Sequence, residues 1–351
     1  MSDVNHKLSK DVISLLEILS LASLFMLLFA VLGFKSLYLM RVAIVMGINI
    51  ILVVALNLSN GFTGIFSLGH VGFMAVGAYV SAILTLPVAA KATNLPDLPA
   101  WLAHIQLGFL SALLIAGLVT AIIALLVGFP LMRLSGDYVA VATLGFLVIV
   151  HSILINWTRF TRGARTFSGV IQYTNVWWVY IWIVITIYVV WRIVHSSYGR
   201  ALLAVRDDTI AAQTMGISIL KSRLLAFTVS AFLTAIGGGL LAHFLTSFSP
   251  SSFYFIATFD YVIMLIIGGL GSISGSIIGA VLVTLFSEFL RNLEQHIQLY
   301  GLSQITLAVT LVIIVIFFRS GLMGYREIHW PQLLKLGMGR AKRANDRNRG
   351  R

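Results

Sequence analysis

Five ionisable side chains fall inside or beside otherwise apolar stretches of the chain: His70, His151, His243, Asp260 and Glu288. In hydrocarbon such groups are functional suspects, because a charge or an unpaired imidazole is costly there. Metal binding or proton relay would require them in close helical spacing, and no two are so placed. Asp260 and Glu288 stand near the ends of short apolar segments, where interfacial solvation is expected. His151 and His243 are expected to be neutral and hydrogen-bonded within a bundle. His70 differs, because Asn57, Ser59, Asn60, Thr63 and Ser67 precede it and Gly61, Gly64, Gly69, Gly72 and Gly77 surround it. No HExxH, GxSxG or GxxxxGK[ST] occurs, and there is no cysteine, so zincin, serine-hydrolase, P-loop and thiolate chemistries are excluded. The chain is expected not to be an enzyme and to bind no cofactor of its own.

A second set of charges stands outside the apolar stretches. Between two long hydrophobic segments the chain reads GRALLAVRDDTIAAQTMGIS, residues 199–218, with Arg206, Asp207 and Asp208 at its centre. A plain link between spans needs about six residues, so this one has a further task. Asp207 or Asp208 can cap a helix by accepting from the free N–H groups of its first turn. Thr209 to Met215 then make about two turns, and Gly216 supplies the positive-φ residue that ends them. Ala211 and Ala212 leave one side nearly bare, flanked by Ile210 and Met215. Small residues admit another surface closely, and methionine adapts to its shape. A two-turn helix is not stable alone in water. It must lie against its own protein or in a cleft of a separate cytoplasmic subunit.

The elements that position these groups are membrane spans. Hydrophobic residues make up 59% of the chain, charged residues 10%, and the mean hydropathy is +0.98. A soluble domain carries about 25% charged residues, so this chain lacks the polar groups to cover its surface in water. Segments of about 20 apolar residues fall at 12–33, 38–57, 64–86, 104–127, 137–157, 176–194, 222–247, 258–270, 273–290 and 302–318. The expected architecture is an all-α polytopic bundle of about ten spans, some of them short or broken, with both termini on one side. If that side is the cytoplasm, 17 Lys/Arg lie inside and 7 outside, as the positive-inside rule requires. The chain then divides into a cytoplasmic N-terminus (1–11), a membrane domain (12–318) with a cytoplasmic loop at 195–221, and a basic cytoplasmic tail (319–351). The net charge of +12 is mostly that tail, where nine Lys/Arg face two acids. This placement suits anionic lipid and does not suggest nucleic acid. One loop runs against the rule: NWTRFTRGART, residues 156–166, puts three arginines outside. It is either an ordinary polar loop or a surface for an acidic soluble partner.

Five glycines between 61 and 77 disfavour one straight helix, since each costs about 1 kcal/mol against alanine in a helix interior. Two readings fit: close helix packing, or a broken helix whose freed backbone groups line a cavity. The polar residues of the segment favour the second, with Asn57, Ser67, Gly69, His70 and Gly72 on a translocation path. Gly271, Gly275 and Gly279 form a four-residue ridge expected to pack against a neighbouring span or a second subunit.

These stretches together resemble a known family. YGRALLAVRDDTIAAQTMGISILKSRLLAF (198–227) is similar to the cytoplasmic loop of ABC-importer permeases, most closely the LivM-type subunits for branched-chain amino acids. Ile210 stands where the importer pattern has Glu, followed by Ala211, Ala212 and Gly216. NLSNGFTGIFSLGHVGFMAVGAY (57–79), GFPLMRLSGDYVAVATLGF (128–146) and SPSSFYF with IIGGLGSISGSIIGA (266–280) resemble further family segments, so the likeness extends over roughly 45–325. It implies that 206–216 is a coupling helix held by cytoplasmic ATPases. It also implies a second permease subunit, two P-loop ATPases that bind ATP–Mg, and a periplasmic binding protein, all at a bacterial inner membrane. The implied cargo is an amino acid with an apolar side chain; urea or short amides are alternatives. A gradient-driven secondary transporter is the remaining reading, but no internal repeat or midplane acid pair accompanies it.

Overall fold

Among the residues that the computed structural model describes (14–24, 26–27, 36–297, 301, 305–306, 308–310, 312, 321–324 and 327), all long elements are helices. In chain order they are α1 (Ser14–Leu24), α2 (Leu37–Asn60), α3 (His70–Thr85), α4 (Val88–Asn94), α5 (Ala100–Ala103), α6 (Phe109–Leu131) and α7 (Tyr138–Asn156). There follow α8 (Thr158–Thr161), α9 (Val176–Val194), α10 (Ser197–Asp207), α11 (Thr209–Thr214), α12 (Ile219–Leu245), a 3-10 turn (Pro250–Phe253), α13 (Phe255–Gly268) and α14 (Ile273–Ile297). Seven stretches are long and apolar enough to cross a membrane: α2, α6, α7, α9, α12, α13 with its preceding 3-10 turn, and α14. An eighth arises if α3 and α4, bent by 120°, count as one span. This is a multi-pass membrane bundle. Residues 1–11, most of the expected span 302–318 and most of the 319–351 tail lie outside the described residues.

Interior and lipid face are sorted by size. On α6 every fourth residue from Ala112 through Ala116, Thr120 and Ala124 to Gly128 is small and buried, while Leu110, Leu114, Leu118, Ile122 and Leu126 are exposed. Hydrocarbon outside the bundle gives large side chains no reason to turn inward, so small faces meet and backbones approach. α3 and α12 approach closely: a Cβ on Gly238 would lie 2.1 Å from the Met74 carbonyl, and one on Gly77 2.2 Å from that of Ala235. α2 and α12 are the most enclosed of the seven candidate spans, whereas α6, α7 and α9 turn most of their surface outward.

Helix ends gather at two opposite ends of the bundle. At the first, the 61–69 break, the 132–137 turn, α10, α11 and the start of α12 come together, with Arg223 Nη1 donating to the Leu134 carbonyl at 3.3 Å. At the second, Phe167 and Phe248 pair through their backbones (2.7 and 3.0 Å), and Tyr79, Phe167, Phe248 and Phe253 form an aromatic plug. Two cations counted as outer charges are built into this end. Lys91, 1% exposed, donates to the Leu102 (3.0 Å) and Ile105 carbonyls. Arg162 donates to the Thr166 carbonyl and Ser168 Oγ, at 3.0 and 2.9 Å. The anomalous loop is thus partly explained by its own architecture.

Two expectations need correction. The span expected at 64–86 is helical only from His70, and 61–69 is irregular backbone with Gly64 at φ +71°. Gly271 is not part of a helical ridge: it lies in the turn before α14 at φ +82°. Gly275 and Gly279 do face another helix, packing on α13, where a Cβ would lie 2.6 Å from the Gly268 carbonyl and 2.1 Å from that of Met264.

The turn between α13 and α14 is held by side chains remote in sequence. Asn57, fully buried, donates to the Ser272 carbonyl (2.8 Å) and Ser276 Oγ (2.7 Å) and accepts from the Gly271 N–H (2.9 Å). Glu327 caps α14, its two carboxylate oxygens accepting from the Ile273 N–H (2.6 Å) and from the Ser274 N–H and Oγ (3.0 and 2.6 Å). The Leu322 and Met323 N–H groups donate to the last carbonyls of α13, Ile267 and Gly268. Asn57→Ala would leave the Gly271 N–H unpaired, while the Ser272 carbonyl keeps the Ser276 N–H and Oγ, a loss of about 1–3 kcal/mol. Glu327→Gln, which keeps one acceptor but no charge, should lose about 1 kcal/mol. Thermal unfolding in detergent checks both, and melting points equal to that of the unaltered protein would show that the clamp does not hold this turn.

Candidate functional site

The 61–69 break is satisfied from within. Asn60 uses both ends of its amide on Ser67, donating to the carbonyl (3.1 Å) and accepting from the N–H (3.2 Å). Thr143 of α7 accepts from the Leu68 N–H at 3.0 Å. Irregular backbone at such depth is tolerated only with partners of this kind. Gly69 and Gly72 let α3 lie directly on α7, against the Thr143 carbonyl and the Phe146 ring.

His70 joins three helices. Ser230 Oγ of α12 donates to the Ala55 carbonyl of α2, so it can only accept from His70 Nε2, 2.8 Å away. Nε2 therefore carries the proton, and Nδ1 accepts from Ser67 Oγ at 3.0 Å. The imidazole edge meets Phe73 and Phe227. Next to it, among Leu52, Thr234, Thr258 and Val262, lies a void of 10 Å³, close to the smallest that holds one water. His243 is likewise bonded, to the Gly239 carbonyl (2.7 Å) and Thr85 Oγ1 (2.8 Å). His151 departs from expectation: it stacks on Tyr254 with centroids 4.0 Å apart, and its Nδ1 has no partner among the described residues.

On the cytoplasm-assigned loop, Asp208 is the cap of α11, its Oδ1 accepting from the Ile210 and Ala211 N–H groups at 2.8 and 3.0 Å. Asp207 instead pairs with Arg206 at 3.0 Å. α11 spans Thr209–Thr214, Met215 follows, and Gly216 at φ +80° turns the chain away. Ile210 and Met215 are 73% and 81% exposed and Ala211 is exposed beside them. Ala212 is not part of that face: at 3% exposure it packs inward. Ile210, Ala211 and Met215 therefore make up the outward face, and Ala212 the side that meets the protein.

The three sets of residues singled out in the sequence converge at the first end, around one turn. Arg206 Nη1 reaches the Gly61 carbonyl at 3.4 Å, and its stem packs on Gly64, where a Cβ would lie 2.8 Å from Cγ. From the other side Gly61 abuts Gly271, 2.3 Å from a would-be Cβ to the N–H that Asn57 holds. Sequence reasoning missed Thr143, Ser230 and Glu327, and counted Asn60 only among the polar groups of its segment. Nor does the sequence show that Asp260 and Glu288, each near the end of an apolar run, come together. Both line one cavity of 480 Å³ opening between α2, α13 and α14, with Arg41, Arg291 and the hydrogen-bonded pair Asn49–Thr284 (2.9 Å).

Comparison with known proteins gives a consistent picture. Residues 38–318 match the family model described as branched-chain amino acid transport system / permease component. The chain is 31% identical to the high-affinity branched-chain amino acid transport system permease protein LivM of Salmonella typhimurium, covering 84% of this chain and 71% of that one. It is 22% identical to the probable LivM protein of Methanocaldococcus jannaschii (82% and 94% covered) and 27% identical to the ribose import permease protein RbsC of Haemophilus influenzae (59% and 69%). No solved structure matches it. With the family model covering most of the chain and a LivM protein aligned along nearly all of the bundle, this chain belongs to the permease-component family of branched-chain amino acid transport systems.

Proposed function

We propose that this chain is one membrane half of an ATP-driven importer, carrying branched-chain or similar apolar amino acids between itself and a second permease subunit. ATP–Mg is bound by two P-loop ATPases that hold α11, and a periplasmic binding protein delivers the cargo to the second end. Both termini and α11 lie on the cytoplasmic side of a bacterial inner membrane, in keeping with the excess of Lys/Arg there.

Family membership supports the cargo class, and the absence of any P-loop motif in the sequence calls for a separate ATPase. The observation that carries the docking role is α11 itself. A helix of six residues is too short to persist unaided, yet Asp208 caps it and Ala212 anchors it. It is held in place while Ile210 and Met215 stay in solvent. Such a face is an attachment point. Arg206, one residue before the Asp207–Asp208 pair, rests on Gly61 and Gly64, so movement of α11 is felt at the α2–α3 break. Asn57, Ser67, Gly69, His70 and Gly72 sit where that movement enters the membrane domain, and we assign them to the moving part of the path.

Ala211→Arg should abolish co-purification of the ATPases while the protein stays monodisperse and melts as before. Ala212→Arg, at the buried position, should lower the melting temperature itself. Wild-type ATPase recovery with Ala211→Arg would exclude α11 as the attachment point. Arg206→Ala should keep the ATPases bound but reduce ATP-dependent leucine uptake by about tenfold, within the range of ordinary coupling energies; unchanged uptake in proteoliposomes would remove Arg206 from the linkage.

A further inference from the structure

The 480 Å³ cavity between α2, α13 and α14 is within the range of about 300–1,000 Å³ usual for small-molecule sites. Its walls are stripes at helical spacing: Arg41, Val45 and Asn49 on α2, Asp260 and Met264 on α13, Thr284, Glu288 and Arg291 on α14. Arg41 and Asn49 are eight residues apart, about 12 Å along a helix, so charge and apolar wall are separated by depth. The charged groups lie towards the second end. Deeper in, Met264 and Val283 are nearly fully buried, as is Val42 beside Arg41, and the Asn49–Thr284 bond leaves the floor with few free polar groups.

The charges balance, with two cations and two anions around one mouth. Their pairing is uneven. Arg291 serves both acids: it stands 3.6 Å from Glu288 on one face of α14 and also acts on Asp260 across the cavity. Asp260 and Arg41 make no hydrogen bond or ion pair with any described residue, and they stand on two helices, α13 and α2, that pack together. A free anion would be repelled by Asp260 and a free cation by Arg41. A molecule with both charges on adjacent atoms and an apolar remainder meets every wall.

We infer that this cavity is a transit site for a zwitterionic aliphatic amino acid, with Asp260 receiving the α-ammonium, Arg41 the α-carboxylate, and the pocket of Val42, Val45, Met264 and Val283 the side chain. The inference rests on the amino-acid importer reading and adds to it a binding site within the membrane chain, separate from any site on the delivering protein. A carboxylate and an ammonium on one carbon need opposite partners, and Arg41 and Asp260 offer them from two packed helices. The apolar floor then selects by side-chain size, where one methylene changes affinity by about 10–200-fold.

The test is equilibrium binding of radiolabelled L-leucine to the purified permease–ATPase complex, without binding protein, in nanodiscs of phosphatidylethanolamine and phosphatidylglycerol. Saturable binding is expected, weakened at least tenfold by Asp260→Asn and by Arg41→Gln. Isoamylamine and 4-methylpentanoate, each with one of the two charges, should compete at least tenfold less well than L-valine. Val45→Phe, which narrows the apolar part and keeps both charges, should favour alanine over leucine, and it serves if either charge variant fails to fold. Absence of saturable binding, equal competition by the single-charge analogues, or displacement by dihexanoyl-phosphatidylethanolamine as readily as by valine would overturn the site. ATP-dependent leucine uptake by the complete transporter separates the two claims. Uptake by the unaltered protein that is untouched in Asp260→Asn and Arg41→Gln removes this site and leaves the importer standing, whereas no amino-acid uptake at all removes both.

Discussion

Wherever this chain leaves helical geometry inside the bundle, no water is at hand to take up the freed backbone groups, and the protein must supply partners itself. That constraint organises the first end. Asn60 closes the 61–69 break with one amide, Asn57 closes the 268–273 turn with another, and Glu327 caps the helix that follows. Asn57 and Asn60 are buried with their amides engaged, which keeps them from solvent and solute. The breaks are therefore fixed joints whose geometry is set by a few polar residues. The small-residue faces around them, Gly77 and Gly238 between α3 and α12 and Gly275 and Gly279 between α13 and α14, bring the backbones close enough for those residues to reach.

Much of this was legible in the sequence. α9 runs from 176 to 194 as its apolar run predicts, and α11 is bounded by the Asp208 cap and Gly216 that its pattern announces. What escaped has a physical reason in each case. The glycine spacing of 271–279 reads as a ridge, but spacing alone does not say where a helix begins, and α14 begins at 273 because Glu327, 54 residues on, caps it there. Ala211 and Ala212 are equivalent in composition, and only tertiary packing decides which points inward. Asp260 and Glu288 do lie near the ends of apolar runs, as expected. That three helices bring them to one cavity cannot be read from any of the three separately.

The packing also groups the helices. α13 and α14 meet backbone to backbone, and α2 is tied to α14 at two levels, by Asn57 at the first end and by Asn49–Thr284 further along. α3, α12 and α6 form a second tight group through Gly77, Gly238, Gly117 and Gly128. Between the groups the contacts are softer: Leu52 on Gly237, and the 10 Å³ void beside His70 whose lining comes from α2, α3, α12 and α13. The hydrogen-bonded chain from Ser67 through His70 and Ser230 to the Ala55 carbonyl crosses that seam.

This grouping bears on how a push at α11 could reach a solute. α2 has 24 residues, about 36 Å at the usual helical rise, and it carries Asn57 towards one end, Asn49 at its middle and Arg41 towards the other end. A helix of that length, pinned to α14 at two points, moves as a lever and not as a set of independent residues. On the proposed coupling, displacing the Gly61–Gly64 turn against Arg206 would tilt the wall that holds Arg41, while α3 and α12 stay locked to each other. Relative motion would then fall on the seam at His70, where an imidazole and two hydroxyls can exchange partners without exposing a charge to hydrocarbon. A salt bridge in that position would resist such exchange, because separating its partners in a low dielectric costs several kcal/mol or more. A histidine between two serines is the polar contact that can hold the seam closed and still let it slip.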